Sequence, residues 1–196
     1  PHLPIVSVAA DFTQPLVLPP LKGPLIGFFP GSTIGNFDHR ASIDLLRSFR
    51  QTLGPDAHLV IGIETRKNSR LIEAAYDDAA GVTAEFNLNL LHRINRELDG
   101  SIPVEAFEHR AVWHDGVGRI EMHLVATRDV TFTVARRQFS VRAGESIHTE
   151  NSYKYTREEA RLLARGSGWE PLAYWTDAGQ MFALHVCGAM PQAPQP

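Results

Sequence analysis

The stretch Gly27-Phe28-Phe29-Pro30-Gly31-Ser32-Thr33-Ile34-Gly35-Asn36 decides how the rest of the chain is read. Residues 25–29 form a short apolar run bounded by proline and glycine, which predicts a buried strand. The run breaks into a loop with two glycines, two hydroxyls and an asparagine, and a helical pattern follows at once. Glycine in such a loop admits positive φ and lets the backbone approach another group with no Cβ in the way. Strand, small-residue loop and helix mark the place where open α/β sheets bind ligands, outside the carboxyl ends of the strands. Gly31-Ser32-Thr33-Ile34-Gly35 lacks the GxGxxG order of a dinucleotide fingerprint, and no P-loop lysine follows. Pattern alone therefore gives the ligand-binding edge of an α/β sheet.

Working outward from this stretch, residues 38–53 predict an amphipathic helix. Leu45, Leu46, Phe49 and Leu53 share one face, and Gly54-Pro55 stops it. Leu59 to Ile63 is a second buried strand, completing a right-handed βαβ unit with a parallel sheet. On the other side, residues 5–10 read as a strand running into Asp11-Phe12-Thr13. A carboxylate there can reach a ligand or, more commonly, cap the next turn. Pro15, Pro19, Pro20 and Pro24 make a stiff connection to the central strand.

Residues 69–98 predict a long helical region with a break near Gly81; Tyr76 and Asn87-Leu88-Asn89 interrupt its apolar stripes. From Glu105 the texture changes. Ile120, Met122 and Leu124 alternate with Glu121, His123 and Val125 as in a half-exposed strand, and two further β segments follow around Arg136-Arg137. Residues 66–155 are accordingly read as an insertion with its own sheet and helices, between a first core segment (1–65) and a return to the core (156–190). The insertion closes on Ile147-His148-Thr149-Glu150-Asn151-Ser152-Tyr153-Lys154-Tyr155, read as a polar loop unusually dense in hydrogen-bonding groups. Thr156-Arg157-Glu158-Glu159 is a capping box, residues 169–175 and 181–186 a hairpin, and residues 191–196 a tail.

A net charge of -3 over 196 residues gives no electrostatic reason to expect nucleic acid, and no apolar run is long enough to span a bilayer. The single cysteine, Cys187, excludes an intramolecular disulfide and fits a cytoplasmic setting. Nine histidines include no HExxH or paired-cysteine spacing, so no metal is expected, and His109, His114 and His123 are scattered over loop and strand. Asp77-Asp78 reads as surface acid before it reads as a catalytic pair. No GxSxG elbow and no Cys-His couple supports covalent hydrolysis. The chemistry-bearing candidates are Asn36, Tyr76 and the Glu150 to Lys154 loop.

Four strings give these candidates an identity: residues 28–36 (FFPGSTIGN), 74–83 (AAYDDAAGVT), 86–91 (FNLNLL) and 147–155 (IHTENSYKY). Together they resemble the histidine N-alpha-methyltransferases of ergothioneine biosynthesis, the dimethylhistidine N-methyltransferase family. The resemblance implies a class I (Rossmann-like) S-adenosylmethionine-dependent methyltransferase with an inserted α+β substrate-binding domain. It further implies methylation of the α-amine of L-histidine or its N-methylated forms, with no metal. Asn36 and Tyr76 resemble the donors that hold the amino acid's carboxylate, Glu150 and Ser152 the readers of the imidazole, and Met122 a pocket wall. Asp11 and Phe12 match the pair beside the adenine, and Gly31 lies in the loop near substrate and methyl donor. The family's glycine-rich motif, the acidic residue after its second strand and its substrate-capping tyrosine have no counterpart here. The chain is thus expected to be a C-terminal portion, lacking the first strands and binding S-adenosylmethionine poorly without the rest. The alternatives are a non-catalytic histidine-binding module and a relative acting on another aromatic amino acid.

Overall fold

The computed structural model describes residues 5–14, 16–20 and 23–191. In chain order the elements are β1 (Ile26–Phe29), α1 (His39–Leu53), β2 (His58–Glu64), α2 (Ser69–Tyr76), α3 (Val82–Glu97), β3 (Phe107–His114) and β4 (Arg119–Ala126). There follow β5 (Val130–Val134), β6 (Arg137–Val141), β7 (Ser146–Tyr153), α4 (Arg157–Gly166), β8 (Trp169–Thr176) and β9 (Phe182–Ala189). They fall into two units, residues 1–65 with 155–196, and residues 66–154.

The first unit is built on a four-stranded sheet of order β1-β2-β9-β8. β1 and β2 run parallel, as the βαβ reading requires, and β9 enters antiparallel between β2 and β8. Leu45 and Leu46 of α1, Ala160 and Leu163 of α4, and Ile61, Ile63 and Cys187 of the sheet are buried. Trp169 is fully buried, its indole N–H donating to the Leu46 carbonyl at 2.9 Å. Burial pushes the Cys187 thiol up to about 11, so it is an inert core group. Gly62 is dictated by sterics: a Cβ there would lie 1.9 Å from the Pro30 carbonyl oxygen, where the loop after β1 crosses β2.

Two expectations fail in this unit. Residues 5–10 form no strand and are exposed, Ile5 by 82%. No described strand pairs with them, and an unpaired strand has no ladder to hold it. The buried strand expected at residues 25–29 is β1, but Ile26 and Phe28 are 69% and 70% exposed. Among the described residues β1 is hydrogen-bonded on one side only. Of the proline-rich connection, Pro15 lies outside the described residues, as do residues 192–196 of the tail.

The second unit pairs a three-stranded antiparallel sheet, β3-β4-β7, with α2 and α3, and carries the β5-β6 hairpin. Its core gathers Leu91 of α3, Phe107 and Leu124 of the sheet, and Val130 and Phe132 of the hairpin. The long helical region is indeed two helices. Asp78 accepts from the backbone N–H of Val82 and Thr83 at 3.1 and 2.8 Å, while Gly81 turns the chain at φ +74°. Those bonds, Thr83 foremost, hold the Asp78 carboxyl at about 2, so Asp78 is a helix-start group. The polar loop expected at residues 147–155 is a strand. β7 pairs with β4 from Tyr153↔Arg119 to Ser146↔Val125, with one bulge that leaves Thr149 opposite no residue.

Candidate active site

Strand pairing decides which of the predicted site residues meet. Ile120 lies opposite Ser152 and Met122 opposite Glu150, so Met122, Glu150 and Ser152 share one face of the sheet. The C-terminal turn of α2 brings Tyr76 to the same place, its hydroxyl donating to Ser152 Oγ at 3.0 Å. Lys154, only 2% exposed, lies behind them. Its ammonium donates to Tyr76 Oη at 2.7 Å and to Ser152 Oγ at 2.8 Å, and lies 4.5 Å from the centre of the Tyr76 ring.

A second layer fixes Tyr76. His109 Nε2 donates to the Tyr76 carbonyl at 2.8 Å, so its Nδ1 is the acceptor for the Asn87 amide at 2.9 Å. Asn87, 4% exposed, also donates to the His123 carbonyl at 3.3 Å. Asn87, one of the polar residues that interrupt the apolar stripes of the helical region, is a buried strut between α3 and the sheet. With both ring nitrogens engaged, His109 is a positioning group.

The hydrogen bonds set proton roles. Ser152 Oγ accepts from Tyr76 and from Lys154, which fills its two lone pairs and leaves its own proton for an outside acceptor. Glu150, half-buried two residues away, presents an acceptor. Burial raises its carboxyl above the usual value while the Lys154 charge pulls it back down. One donor and one acceptor thus stand on one face, i and i+2 along a strand. Tyr76 spends its proton on Ser152 here, so its first service is to Ser152.

The other predicted site residues belong to the first unit. Asn36 ends a short 3-10 turn, Thr33–Asn36, and is exposed. The loop's positive φ falls on Ser32 (55°) and not on Gly31 or Gly35, contrary to the glycine expectation. Ser32 Oγ accepts from the Glu64 backbone N–H at 2.8 Å, tying the loop to the end of β2. Gly31 is exposed, and a Cβ there would meet only Thr33 Oγ1, at 3.5 Å. The Asp11 carboxylate accepts from Thr13 N–H and Oγ1 at 2.9 and 2.7 Å, which lowers its pKa, and Phe12 packs on Phe29 and Phe37. Phe12, Leu18, Phe28 and Phe29 help line an apolar cleft of about 220 Å³.

Sequence reasoning named the loop that ends at Lys154 but gave the lysine no role, and it noted His109 and Asn87 without giving either a place in the site. The signal for Lys154 was present in the alternation Glu150, Ser152, Lys154 once the segment is read as a strand. His109 and Asn87 needed the tertiary packing of α3 on β3.

A family profile described as "Histidine-specific methyltransferase, SAM-dependent" matches residues 1–189. The chain belongs to that family. It is 37% identical over 188 residues to a histidine N-alpha-methyltransferase of Mycolicibacterium smegmatis, covering 95% of this chain and 59% of the relative. A histidine N-alpha-methyltransferase of Mycobacterium tuberculosis is 35% identical, covering 93% and 57%. Ergothioneine biosynthesis protein 1 of Neurospora crassa is 31% identical over 160 residues, covering 80% of this chain and 18% of the relative. The chain therefore spans somewhat over half the length of the two bacterial histidine methyltransferases. Among the described residues no helix of this family member is long and apolar enough to cross a membrane.

Proposed function

We propose that the chain carries the histidine-reading part of an enzyme that transfers methyl groups from S-adenosylmethionine to the α-amine of L-histidine and its N-methylated forms. The carrying observation is the pairing of Glu150 with a Ser152 whose proton is free to be given away. A neutral imidazole has one N–H and one lone pair; Glu150 accepts from the first and the Ser152 hydroxyl donates to the second. Tyr76 and Lys154 hold Ser152 in that role, and Met122 walls the ring. A pocket with such buried polar groups rejects a side chain that leaves them unmatched. Asn36 is proposed as an amide for the amino acid's carboxylate.

S-Adenosylmethionine supplies an electrophilic methyl group on a sulfonium. Of the residues assigned to it, Phe12 offers a ring beside an apolar cleft, Asp11 an acceptor and Gly31 an open approach; these fit a contact at the surface of the first unit. What the chain's own residues contribute is position: the imidazole end is fixed by two hydrogen-bonding side chains, Glu150 and Ser152, and the amine must arrive unprotonated to attack.

The test is calorimetric titration of L-histidine into the protein and into Glu150→Ala, with transfer of labelled methyl from S-adenosylmethionine followed by mass spectrometry. The reading expects histidine binding that falls at least tenfold in the variant, and methylation at the α-nitrogen. Equal affinity in both proteins overturns the assignment of Glu150. Histidine binding with no transfer by an enzyme of the relatives' full length would favour a binding module.

A further inference from the structure

The sheet of the second unit has an opposite face, and its chemistry is unused by the site above. Arg119, Glu121 and His123 alternate along β4 and point away from Met122 and Ile120. His114 is paired with Arg119 across the β3-β4 hairpin and joins them on that side. Glu121 Oε2 lies 3.1 Å from His114 Nε2 and 2.9 Å from His123 Nε2. One atom from each of the three residues falls within 4.8 Å of the others. The histidines expected to be scattered thus converge, two of them, on one carboxylate oxygen.

We propose that His114, Glu121 and His123 bind a transition-metal dication of the zinc type, through both Nε2 atoms and Glu121 Oε2. Two imidazoles and a carboxylate are a common zinc donor set. Ligand atoms about 3.4 Å apart are what a tetrahedral zinc with bonds of about 2.1 Å requires, so small ring movements admit the ion. The surroundings are those of a ligand set held from outside. Arg119 donates to the other oxygen, Oε1, through Nε at 2.7 Å and also through Nη2, leaving Oε2 to face the rings. Ser146 Oγ lies 3.3 Å from His123 Nδ1, and a proton on that nitrogen leaves the Nε2 lone pair for a metal.

A second observation points to a missing partner. Asn151 stands directly across from Glu121 on β7, and its side-chain oxygen is buried with no hydrogen bond. A buried amide oxygen without a partner is costly unless something supplies a positive charge or a donor. A cation held by the three ligands supplies it, with Asn151 Oδ1 as a fourth ligand atom. Glu121 itself is 7% exposed, whereas the His114 side chain is 45% exposed, which gives the ion an entry path. Binding displaces protons shared between the imidazoles and the carboxylate, and requires no redox partner.

The site is tested by titrating CoCl2 into the tag-free, chelator-treated protein, following visible absorption, and then displacing cobalt with ZnCl2. The inference expects one equivalent with the intense visible bands of tetrahedral cobalt, and at least tenfold weaker binding in His114→Ala and in Glu121→Gln. His114 is exposed at a strand end, so its variant should keep the wild-type melting temperature. Absence of the bands at stoichiometric cobalt overturns the site, as does unchanged affinity in both variants. Failure here leaves Glu150 and Ser152 untouched, because they lie on the other face.

Discussion

Lys154→Met isolates what the buried ammonium does for the candidate site. The side chain makes two short bonds to neutral hydroxyls, at 2.7 and 2.8 Å. Hydrogen bonds to charged groups contribute about 1.5–3 kcal/mol each. Taking an ammonium out of water costs several kcal/mol, and replacing a buried ion by an apolar group of similar volume is often neutral. The two effects largely cancel in folding, so methionine should change global stability by less than about 2 kcal/mol, or less than about 8 °C in melting temperature. Ligand recognition has no such offset. Without Lys154, Ser152 Oγ regains an acceptor site and its proton is no longer reserved for an incoming ring. The nearby positive charge that restrains the Glu150 carboxyl is lost as well. Losing one charge-assisted bond's worth of order, about 1.5–3 kcal/mol, corresponds to about 10- to 150-fold weaker histidine binding. Calorimetry on the variant, beside a thermal melt, reads both quantities. Affinity within threefold of wild type at an unchanged melting temperature would refute the argument that Lys154 sets the proton role of Ser152.

Other consequences are as direct. On the proposed reading, histidine binding needs the Glu150 carboxylate ionised, and burial raises that group above its ordinary value. Binding should be complete above the raised value and fall as pH drops through it, beginning at higher pH than for an exposed glutamate; a Glu150→Gln titration should lack this limb. Gly62→Ala places a methyl 1.9 Å from the Pro30 oxygen, a backbone atom. It should cost about 3 kcal/mol, visible as a lower denaturant midpoint at unchanged slope. Asp78 is a carboxylate whose folded value, about 2, lies below its ordinary value of 3.8. Its contribution is present above 3.8 and lost as pH falls towards 2, and an acid-unfolding curve of Asp78→Asn should be flatter across that window.

Much of the fold was legible because its signals are local. The βαβ unit, the break at Gly81, the capping box at Thr156 and the final hairpin all rest on periodicity and turn chemistry within about fifteen residues. Residues 5–10 misled because an apolar run predicts a strand, whereas forming one requires a partner. Residues 147–155 misled in the opposite way: polar side chains suggested a loop, and only the pairing with β4 makes them a strand. The site divides along the same line. Asn36, Tyr76 and the Glu150 to Lys154 segment stood out as candidates from local pattern, and the resemblance gave Asn36, Tyr76, Glu150 and Ser152 their expected roles. Lys154, Asn87 and His109 act through contacts between elements far apart in sequence, and His114 meets Glu121 only because a hairpin folds it back.

The bulge at Thr149 has a consequence for how β7 is used. Strand side chains keep a strict two-residue phase, so with Ile147 packed inward, residues 149, 151 and 153 would ordinarily follow it to that side. Glu150 and Ser152 would then look the other way. The single extra residue resets the phase midway along the strand, its hydroxyl anchored on the Met122 carbonyl at 2.9 Å. One half of β7 contributes to the core and the other half to the proposed recognition face, from the same side of the same strand. Flattening the bulge with Thr149 kept in the strand would not merely loosen the sheet; it would exchange the Glu150–Ser152 pair for Asn151 and Tyr153, whereas deleting Thr149 should leave that pair opposite Met122 and Ile120.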